Sequence, residues 1–398
     1  MRRSFLLVGL SLLSHCLFGA DTLPLNGKTT PQKLEEAVNQ KLNAQKPGQP
    51  QPTEIESDHS DSEEEGHEAK PFIATVDTYG STRINEGLIR KFWGKELDAW
   101  LAKGIKGEES ALQDEEKLLA KIQEKFQFGF AQWSVIEYFM GTGIAIHVTL
   151  DTVEKEDMAA RMSFLTPPSK ELKDPAGLIK QWEDYKNIAL KLVELGEITP
   201  EAEVCKTAFH CPFGHEHAKL KSFEKIFTTG VKRYQKELAE ILREDKREEF
   251  RANAAFLLAY AKDGNQVAAW MLERVKDPSE VVRNNVLRVL GDISEFHPSV
   301  VIPIKPVLEA LYFPRVSDRS KAVNVIANLI THSQSSKAEV MAHVPVLLQL
   351  LSSKQPDHFE IAHAILRKIS GKEYAASELQ AWQNWYTKQP KDRALSKK

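Results

Sequence analysis

A repeating unit in the second half of the chain constrains its fold more than any other feature. Twice, an aspartate in a turn is followed six residues later by an arginine that opens an apolar helix: Asp245 with Arg251, and Asp277 with Arg283. The two units start 32 residues apart, and a looser third unit follows at Arg319. Self-similarity at such a period predicts a helical solenoid, whose units must stack to bury their apolar faces. A solenoid presents a long surface instead of one catalytic pocket, which favours a protein that binds other proteins.

The helical spacing of apolar residues divides residues 223–388 into four helix pairs. None of these pairs could bury its apolar side alone, so we expect them to stack into one α-solenoid. Trp382 and Trp385, on a last helix, are expected to cap its open end. The predicted pairs are 231–243 with 246–261, 266–275 with 280–296, 303–311 with 318–332, and 338–351 with 359–369.

A small α+β unit over residues 71–160 precedes the solenoid. In its last strand, Ile144, Ile146, Val148 and Leu150 face one way and Ala145, His147, Thr149 and Asp151 the other, which predicts a half-buried hairpin. The fold class is therefore mainly α, with a C-terminal α-solenoid behind a β-α-α-β-β domain. The predicted elements are a strand at 72–78, helices at 84–103 and 112–126, and strands at 131–139 and 144–153.

The first twenty residues have the pattern of an export signal. Arg2 and Arg3 are followed by an apolar run at 5–13, and Gly19 and Ala20 are small. This pattern predicts a signal peptide over residues 1–20, because the run is too short to span a bilayer. We therefore expect the protein to be exported to the periplasm.

Cys16 leaves an alternative for the mature N-terminus. The stretch Leu13-Ser14-His15-Cys16 resembles a bacterial lipobox, although His15 occupies a position where that motif has a small residue. A lipid anchor on Cys16 would associate the protein with the outer membrane. Contact with a membrane is expected only if Cys16 is lipidated.

Three segments read as linkers or tails. The polar composition of residues 21–70 predicts a disordered tether. Within it, residues 54–68 carry eight carboxylates and no Lys or Arg. Residues 161–222 predict a connector with one helix at 178–195 and a Cys/His segment, and residues 389–398 predict a basic tail. The net charge of −3 gives no reason to expect nucleic acid as a partner.

The solenoid pattern resembles HEAT repeats. The stretch Asp277-Pro278 followed by Val282-Arg283 carries that resemblance best. It implies that the repeated Asp and Arg side chains bridge neighbouring repeats, so their roles would be structural. The third and fourth repeats lack the aspartate at its expected place. The residues to which the resemblance gives a structural role are Asp245, Arg251, Asp277, Arg283 and Arg319.

The α+β unit is similar to a POTRA domain. The resemblance rests on the element order and on Val76-Asp77-Thr78-Tyr79-Gly80, followed by Ile84, Leu88-Ile89 and Gly94. POTRA domains grasp extended chains by strand addition to a sheet edge. The resemblance therefore implies a second binding surface on this unit.

The densest chemical cluster lies between Cys205 and His217. In an oxidising compartment, a local Cys205–Cys211 disulfide is the favoured prediction. Zinc or copper held with His210, His215 and His217 is an alternative, because Cys and His are the ligands that zinc prefers, and free thiols are another. The spacing matches no standard zinc finger or hydrolase pattern.

Enzyme motifs are otherwise missing from the sequence: no His-Glu-x-x-His, Gly-x-Ser-x-Gly, phosphate loop or dinucleotide fingerprint. We predict a non-enzymatic scaffold of the cell envelope without a cofactor. Its protein or peptide partner would bind the second helices of the solenoid. A further expected mode of binding is the addition of a strand of the partner to the sheet edge of the α+β unit. The alternatives are a metal- or thiol-dependent enzyme centred on residues 205–217, such as a bilin-lyase-like protein, and a subunit of outer-membrane assembly or secretion machinery. The predicted contact residues are Asn284, Arg288, Asn324 and Asn328.

Overall fold

The computed structural model describes residues 70–140, 143–199 and 205–389. The predicted signal peptide, Cys16, the tether as far as residue 69 and the basic tail after residue 389 lie outside these described residues. Within them, no helix is both long and apolar enough to cross a bilayer. The predicted fold class is confirmed, because a three-stranded sheet with two helices precedes a packed array of helices.

The α+β unit has the predicted element order. The sheet has the strand order β1-β3-β2, with β3 parallel to β1 and antiparallel to β2. The apolar face of the sheet packs on both helices, and the rings of Trp100 and Trp133 meet there at 4.9 Å between centroids. The elements are β1 (Lys70–Tyr79), α1 (Glu86–Ile105), α2 (Ser110–Phe126), β2 (Phe130–Met140) and β3 (Gly143–Val153).

Strands β2 and β3 form the predicted antiparallel hairpin. The second face of β3 is covered, however, so the expectation that this strand is only half-buried is wrong. Asp151 is 0% exposed and Thr149 is 2% exposed, although both are polar. The turns of the helical array pack against this face, and alternation within one strand carries no information about that distant contact. The polar face of β3 is therefore the interface between the sheet and the helical array.

A short helix, α3 (Met158–Arg161), precedes the array. The helices of the array are α4 (Leu178–Glu194), α5 (Lys221–Glu244), α6 (Glu248–Leu258), α7 (Gly264–Leu272), α8 (Glu280–Phe296), α9 (Lys305–Ala310), α10 (Val316–His332), α11 (Gln334–Val340), α12 (Val344–Leu351), α13 (Pro356–Ser370) and α14 (Leu379–Thr387). Most helices of the array follow the predicted pairs to within a few residues, but α5 starts earlier than predicted, and two helices, α11 and α12, occupy the place of the single helix predicted at 338–351.

Helix α5 begins ten residues before its predicted start at residue 231. Phe223, Phe227 and Val231 form a buried stripe that continues through Gly230. A Cβ at Gly230 would collide with the side chain of Leu178, so this glycine marks a close contact between α4 and α5 and not a helix end.

The predicted connector helix is part of the array. Trp182 on α4 lies 5.4 Å from the ring of Phe227 on α5 and 5.5 Å from that of Phe256 on α6, between centroids. Trp182 is buried in the same core as the helix pairs. The packed array therefore begins at α4, 45 residues before the predicted boundary at residue 223.

The last helix, α14, lies against α12 and the end of α13. Trp382 and Trp385 are buried in the core of the array. The indole N–H of Trp382 donates to the carbonyl of Ala375 at 3.1 Å, and its ring meets His363 edge-on. These contacts bury the apolar surface of the final helix pair.

Candidate interaction surface

The repeated Asp and Arg residues form a ladder between successive units. Arg251 donates from Nε and Nη2 to the carboxylate of Asp277, at 3.1 and 2.8 Å. Arg283 makes the same two bonds to Asp318, at 3.0 and 2.8 Å. In both units Arg Nη1 also donates to the carbonyl six residues earlier, that of Asp245 or of Asp277. Each arginine therefore joins its own turn to the aspartate of the next unit.

The third rung is completed from outside the array. Arg319 Nη1 donates to the carbonyl of Phe313, again six residues earlier, at 3.1 Å. Its Nη2 donates to Asp151 Oδ1 on β3 at 2.7 Å, and both side chains are fully buried. The α+β unit thus supplies the aspartate that a further repeat would otherwise contribute.

Sequence reasoning missed two of these aspartates. Asp318 occurs five residues after the position where the third aspartate was expected, which is Phe313, and it lies on the first turn of α10. Burial raises the pKa of Asp318 in spite of the adjacent Arg283. The only feature of the local sequence that pointed to Asp318 was its position directly before Arg319. Asp151 gave no signal beyond its place on a polar strand face.

The first aspartate has no arginine from a preceding unit. Asp245 instead accepts from the side chain of Arg247 and from the backbone N–H of Leu172, at 2.9 Å in each case. Burial alone would raise the pKa of Asp245, but these hydrogen bonds lower it overall. The chain before the array, together with Arg247, therefore supplies the donors for the first aspartate, as β3 supplies the carboxylate for the last arginine.

Residues 154–174, which we call the strap, run along the turns of the array in reverse order. Near the third unit, Arg161 Nε donates to the carbonyl of Tyr312 at 3.0 Å. Near the second, the ring of Phe164 lies 4.3 Å from the guanidinium carbon of Arg283, and Leu165 N donates to Lys276 O at 2.8 Å. The strap reaches the first unit at Leu172. The Asp–Arg turns are therefore covered by the chain itself.

The sheet closes the same side at the fourth helix pair. Gln355 Nε2 donates to Thr149 Oγ1 at 2.7 Å, and Lys354 N donates to Asp77 Oδ2 at 2.8 Å. Burial lowers the pKa of His358, at the start of α13, to about 3, with the nearby Arg319 contributing in the same direction. The strap and the sheet together cover what we call the turn side of the array.

The Cys/His segment binds the opposite ends of these helices. Cys205 and Cys211 are at disulfide distance, with 2.10 Å between their sulfurs. His210 Nδ1 lies 2.6 Å from Asp292 Oδ2 on α8, and His215 Nε2 lies 2.7 Å from the hydroxyl of Tyr260 after α6. Burial lowers the pKa of His215. The segment therefore fastens two second helices of the array to each other.

The three histidines of the metal alternative do not converge. His217 Nε2 lies 3.2 Å from Glu197 Oε2, whereas His210 and His215 contact Asp292 and Tyr260. Within the part of the chain that the structure describes, no group of three or more His, Cys, Asp or Glu is placed to hold a metal ion.

The predicted contact residues lie on one polar stripe along α8 and α10, most of whose members are half-buried. We call this stripe the inner face. Its residues follow helical spacing, at 284, 288 and 295 on α8 and at 317, 321, 324 and 328 on α10. The four predicted residues were expected to be exposed, but all four are half-buried, because neighbouring second helices pack closely on either side.

Two of the asparagines hold the inner face together. Asn328 Nδ2 donates across to Ser294 Oγ on α8 at 3.2 Å, and Asn324 Nδ2 donates to Ser320 O on its own helix at 3.1 Å. Asn284 differs, because its buried Oδ1 has no hydrogen-bond donor among the described residues. A buried acceptor without a donor is a place where a bound molecule could gain a hydrogen bond.

Lys321 is the inner-face residue that sequence reasoning missed. Burial, and after it the repulsion of Arg288, lowers the pKa of Lys321 to about 7. Burial also lowers the pKa of Arg288 to about 10. A stripe of mixed Ser, Asn and Lys on an apparently surface helix gave no sign that the lysine would be buried. The two side chains thus lie near enough to influence each other's charge on the inner face.

Comparison with known proteins identifies the repeat type. A family model described as HEAT repeats matches residues 236–310, from the end of α5 through α9. No curated protein and no solved structure matches the chain. The HEAT resemblance is thus confirmed over this range, and the helix pairs of this part of the array are of HEAT type.

Proposed function

We propose that this protein is a non-enzymatic scaffold of the cell envelope, which binds a protein or peptide partner on the inner face of α8 and α10. The observation that carries the proposal is the different state of the two sides of the array. The turn side is covered by the strap and the sheet, whereas the inner face presents the half-buried Asn284, Arg288, Asn324 and Asn328. Stacked repeats of this kind offer extended surfaces for binding other chains.

The experiment is site-specific photo-crosslinking in cells. A photoreactive residue at Asn324 is expected to give a covalent adduct with a distinct protein, which mass spectrometry identifies. The same residue at the exposed position Thr229 on α5 serves as the control. Identical adducts from both positions, or none from Asn324, would refute the inner face as the binding surface.

Strand addition to the α+β unit is the second mode that we propose, on the strength of the POTRA resemblance. The two edge strands are β1 and β2. The array already contacts both, since Lys354 Nζ donates to Val76 O and Arg315 Nη1 to Trp133 O, at 3.3 and 3.4 Å. Strand addition would therefore use the first residues of β1, near the exposed Phe72. If a partner strand adds to β1, a photoreactive residue at Phe72 should crosslink to that partner, and replacing Ile73 by proline should abolish the crosslink.

Location is tested separately. Export predicts a mature chain that starts at residue 21 and is released with the periplasmic fraction. A diacylated N-terminal Cys16 in the outer-membrane fraction would instead favour the subunit of an assembly or secretion machinery. Mass spectrometry of the mature N-terminus separates the two.

A further inference from the structure

We propose that residues 54–68 of one copy of this chain bind, as an extended acidic segment, along a row of lysines on α5 of a second copy. The proposal does not involve the inner face, so it is independent of the proposed function. Three observations support it: the unpaired lysines of α5, the matching spacing of carboxylates in the segment, and the distance between the two within one molecule.

Helix α5 carries a straight row of lysines on its solvent side. Successive members are four, seven and four residues apart, which places all of them within about 60° of one another around the helix axis. Each of them is exposed, and none forms an ion pair with another described residue. We call this row the lysine stripe, and its members are Lys221, Lys225, Lys232 and Lys236.

The acidic residues of α5 do not neutralise the lysine stripe. Glu224, the one acidic residue within its length, is half-buried. Burial lowers the pKa of His215 and the carboxylate of Glu224 opposes this effect, so Glu224 acts on the core side of the helix. Two glutamates that follow the stripe, Glu240 and Glu244, lie 3.9 and 4.0 Å from Lys170. A chain of carboxylates that lies along the stripe is therefore attracted by four lysines.

The acidic segment has carboxylates at matching intervals. Two, three and two residues separate Glu56, Asp58, Asp61 and Glu63. In an extended chain these intervals are about 6.6, 10 and 6.6 Å, at about 3.3 Å per residue. The lysines are about 6, 10.5 and 6 Å apart along the helix axis, at about 1.5 Å per residue. Since a lysine side chain is long and flexible, it reaches a carboxylate on either edge of the extended chain. Four ion pairs therefore form in one register.

The sheet, to which the segment is joined, extends away from α5. Asp151 near the end of β3 binds Arg319 in the third unit, and Thr149, two residues earlier, binds Gln355 of the fourth helix pair. The strap leaves the end of β3 and runs back to the first unit. The start of β3 is therefore far from the first unit, and so is Lys70, because β1 is parallel to β3 and begins in the same row.

The distance to the lysine stripe of the same molecule exceeds the reach of the segment. From the row of Lys70 to Asp151, β3 covers eight residues, or about 26 Å, and two repeats of about 10 Å each separate the third unit from the first. Glu63 is seven residues from Lys70, and a chain of that length spans at most about 25 Å. The segment consequently meets a lysine stripe on a second copy.

Binding between copies is measured first with a peptide. The receptor is the mature chain in which the eight carboxylates of residues 54–68 are converted to amides, so that no segment of its own competes. A fluorescently labelled peptide of residues 54–68 is added, and its fluorescence anisotropy is followed. We expect saturable binding at low salt that is lost at about 1 M salt, where the Debye length is about 3 Å.

Two double substitutions in this receptor locate the binding surface. Lys225→Glu/Lys232→Glu should weaken binding of the peptide about tenfold or more, because two ion pairs are lost and two repulsions take their place. The matched control is Lys95→Glu/Lys106→Glu, which changes the net charge by the same amount at two exposed lysines of the α+β unit. Its affinity for the peptide should equal that of the receptor. All four positions are exposed, so the fold is retained.

Sedimentation velocity of the wild-type mature chain measures the contact between whole molecules. At low salt we expect association that increases with concentration and that is absent from the neutralised chain and from Lys225→Glu/Lys232→Glu. A wild-type chain that stays monomeric, or a peptide that binds both double variants equally, would overturn the proposal. A receptor that binds vesicles containing phosphatidylglycerol but not the peptide would overturn it too, and would assign the lysine stripe to a membrane surface.

Discussion

Asp151 and Arg319 are 168 residues apart in sequence and form a fully buried ion pair, with Oδ1 and Nη2 at 2.7 Å. The second oxygen of Asp151 accepts from Ser134 Oγ at 2.6 Å and from Val316 N at 3.2 Å. The guanidinium carbon of Arg319 lies 3.6 Å from the centroid of the Tyr79 ring. One carboxylate on β3 thus binds the sheet to the helix array.

Asp151→Asn should therefore destabilise the whole protein. The amide leaves the charge of Arg319 uncompensated and directs N–H groups at the donors Ser134 and Val316, a loss of about 3–5 kcal/mol in the free energy of unfolding. Urea unfolding followed by circular dichroism measures it. The matched control is Asp114→Asn, which removes the surface partner of Lys103 and should change stability little. Equal effects from both substitutions would argue against the buried pair.

Arg283 should not tolerate replacement by lysine. Its fork bonds Asp318 twice and the carbonyl of Asp277 once, and its face lies against Phe164. A single ammonium cannot reproduce this geometry. We expect Arg283→Met to cost about 3–5 kcal/mol and Arg283→Lys most of that amount. Arg367→Lys, at an exposed pair with Glu373, is the control. A Lys variant as stable as the wild type would show that only the charge matters.

The repeated Asp and Arg residues of the first two units could be recognised from the sequence because their signals are local. Asp277 and Arg283 lie on one turn, six residues apart, and recur at a fixed period. The helix and strand pattern of the α+β unit is local in the same sense. The start of α5 was predicted ten residues too late; Gly230 lies inside this helix, where its missing side chain makes room for Leu178 of α4.

The rest of the arrangement depends on contacts that no periodicity encodes. Nothing in the alternation of β3 tells that Thr149 and Asp151 face Gln355 and Arg319 instead of water. The burial of Lys321 likewise follows from how α8, α10 and α13 meet. The inner-face residues were named from helical spacing alone, and their half-buried state comes from packing between units.

Reduction of the disulfide should cause a modest and local loss of stability. Cys205 and Cys211 close a short loop, six residues apart, for which the chain-entropy model gives about 2 kcal/mol. Hydrogen exchange should rise at the end of α6, where Phe209 N donates to Ala259 O. The Cys205→Ala/Cys211→Ala variant should be insensitive to reductant. If a thiol reagent detects two free thiols in the native, unreduced protein, the disulfide is contradicted. That result would favour the alternative of a metal- or thiol-dependent enzyme.

His358 should make stability depend on pH in the acid range. Its pKa is lowered to about 3 in the folded state by burial, so the folded protein binds fewer protons than the unfolded chain between pH 3 and about 6.5. Its contribution is therefore fully present above pH 6.5 and is lost as the pH falls toward 3, by at most about 1.4 kcal/mol per pH unit. In His358→Gln, whose amide can still donate to Val316 O, this part of the slope should vanish. The measurement is the free energy of unfolding of both proteins at several pH values between 7 and 4. If the two plots of this free energy against pH stay parallel, the assignment to His358 is refuted.

The central claim is that β3 supplies the last rung of the array, so that sheet and solenoid are one structural unit. A double-mutant cycle with Asp151→Asn, Arg319→Met and the combined variant tests this claim most directly. The account predicts a coupling energy of about 2–3 kcal/mol, because the second substitution removes the charge that the first leaves unpaired. Losses that add to within about 0.5 kcal/mol would contradict it and would show that the two residues stabilise the protein independently.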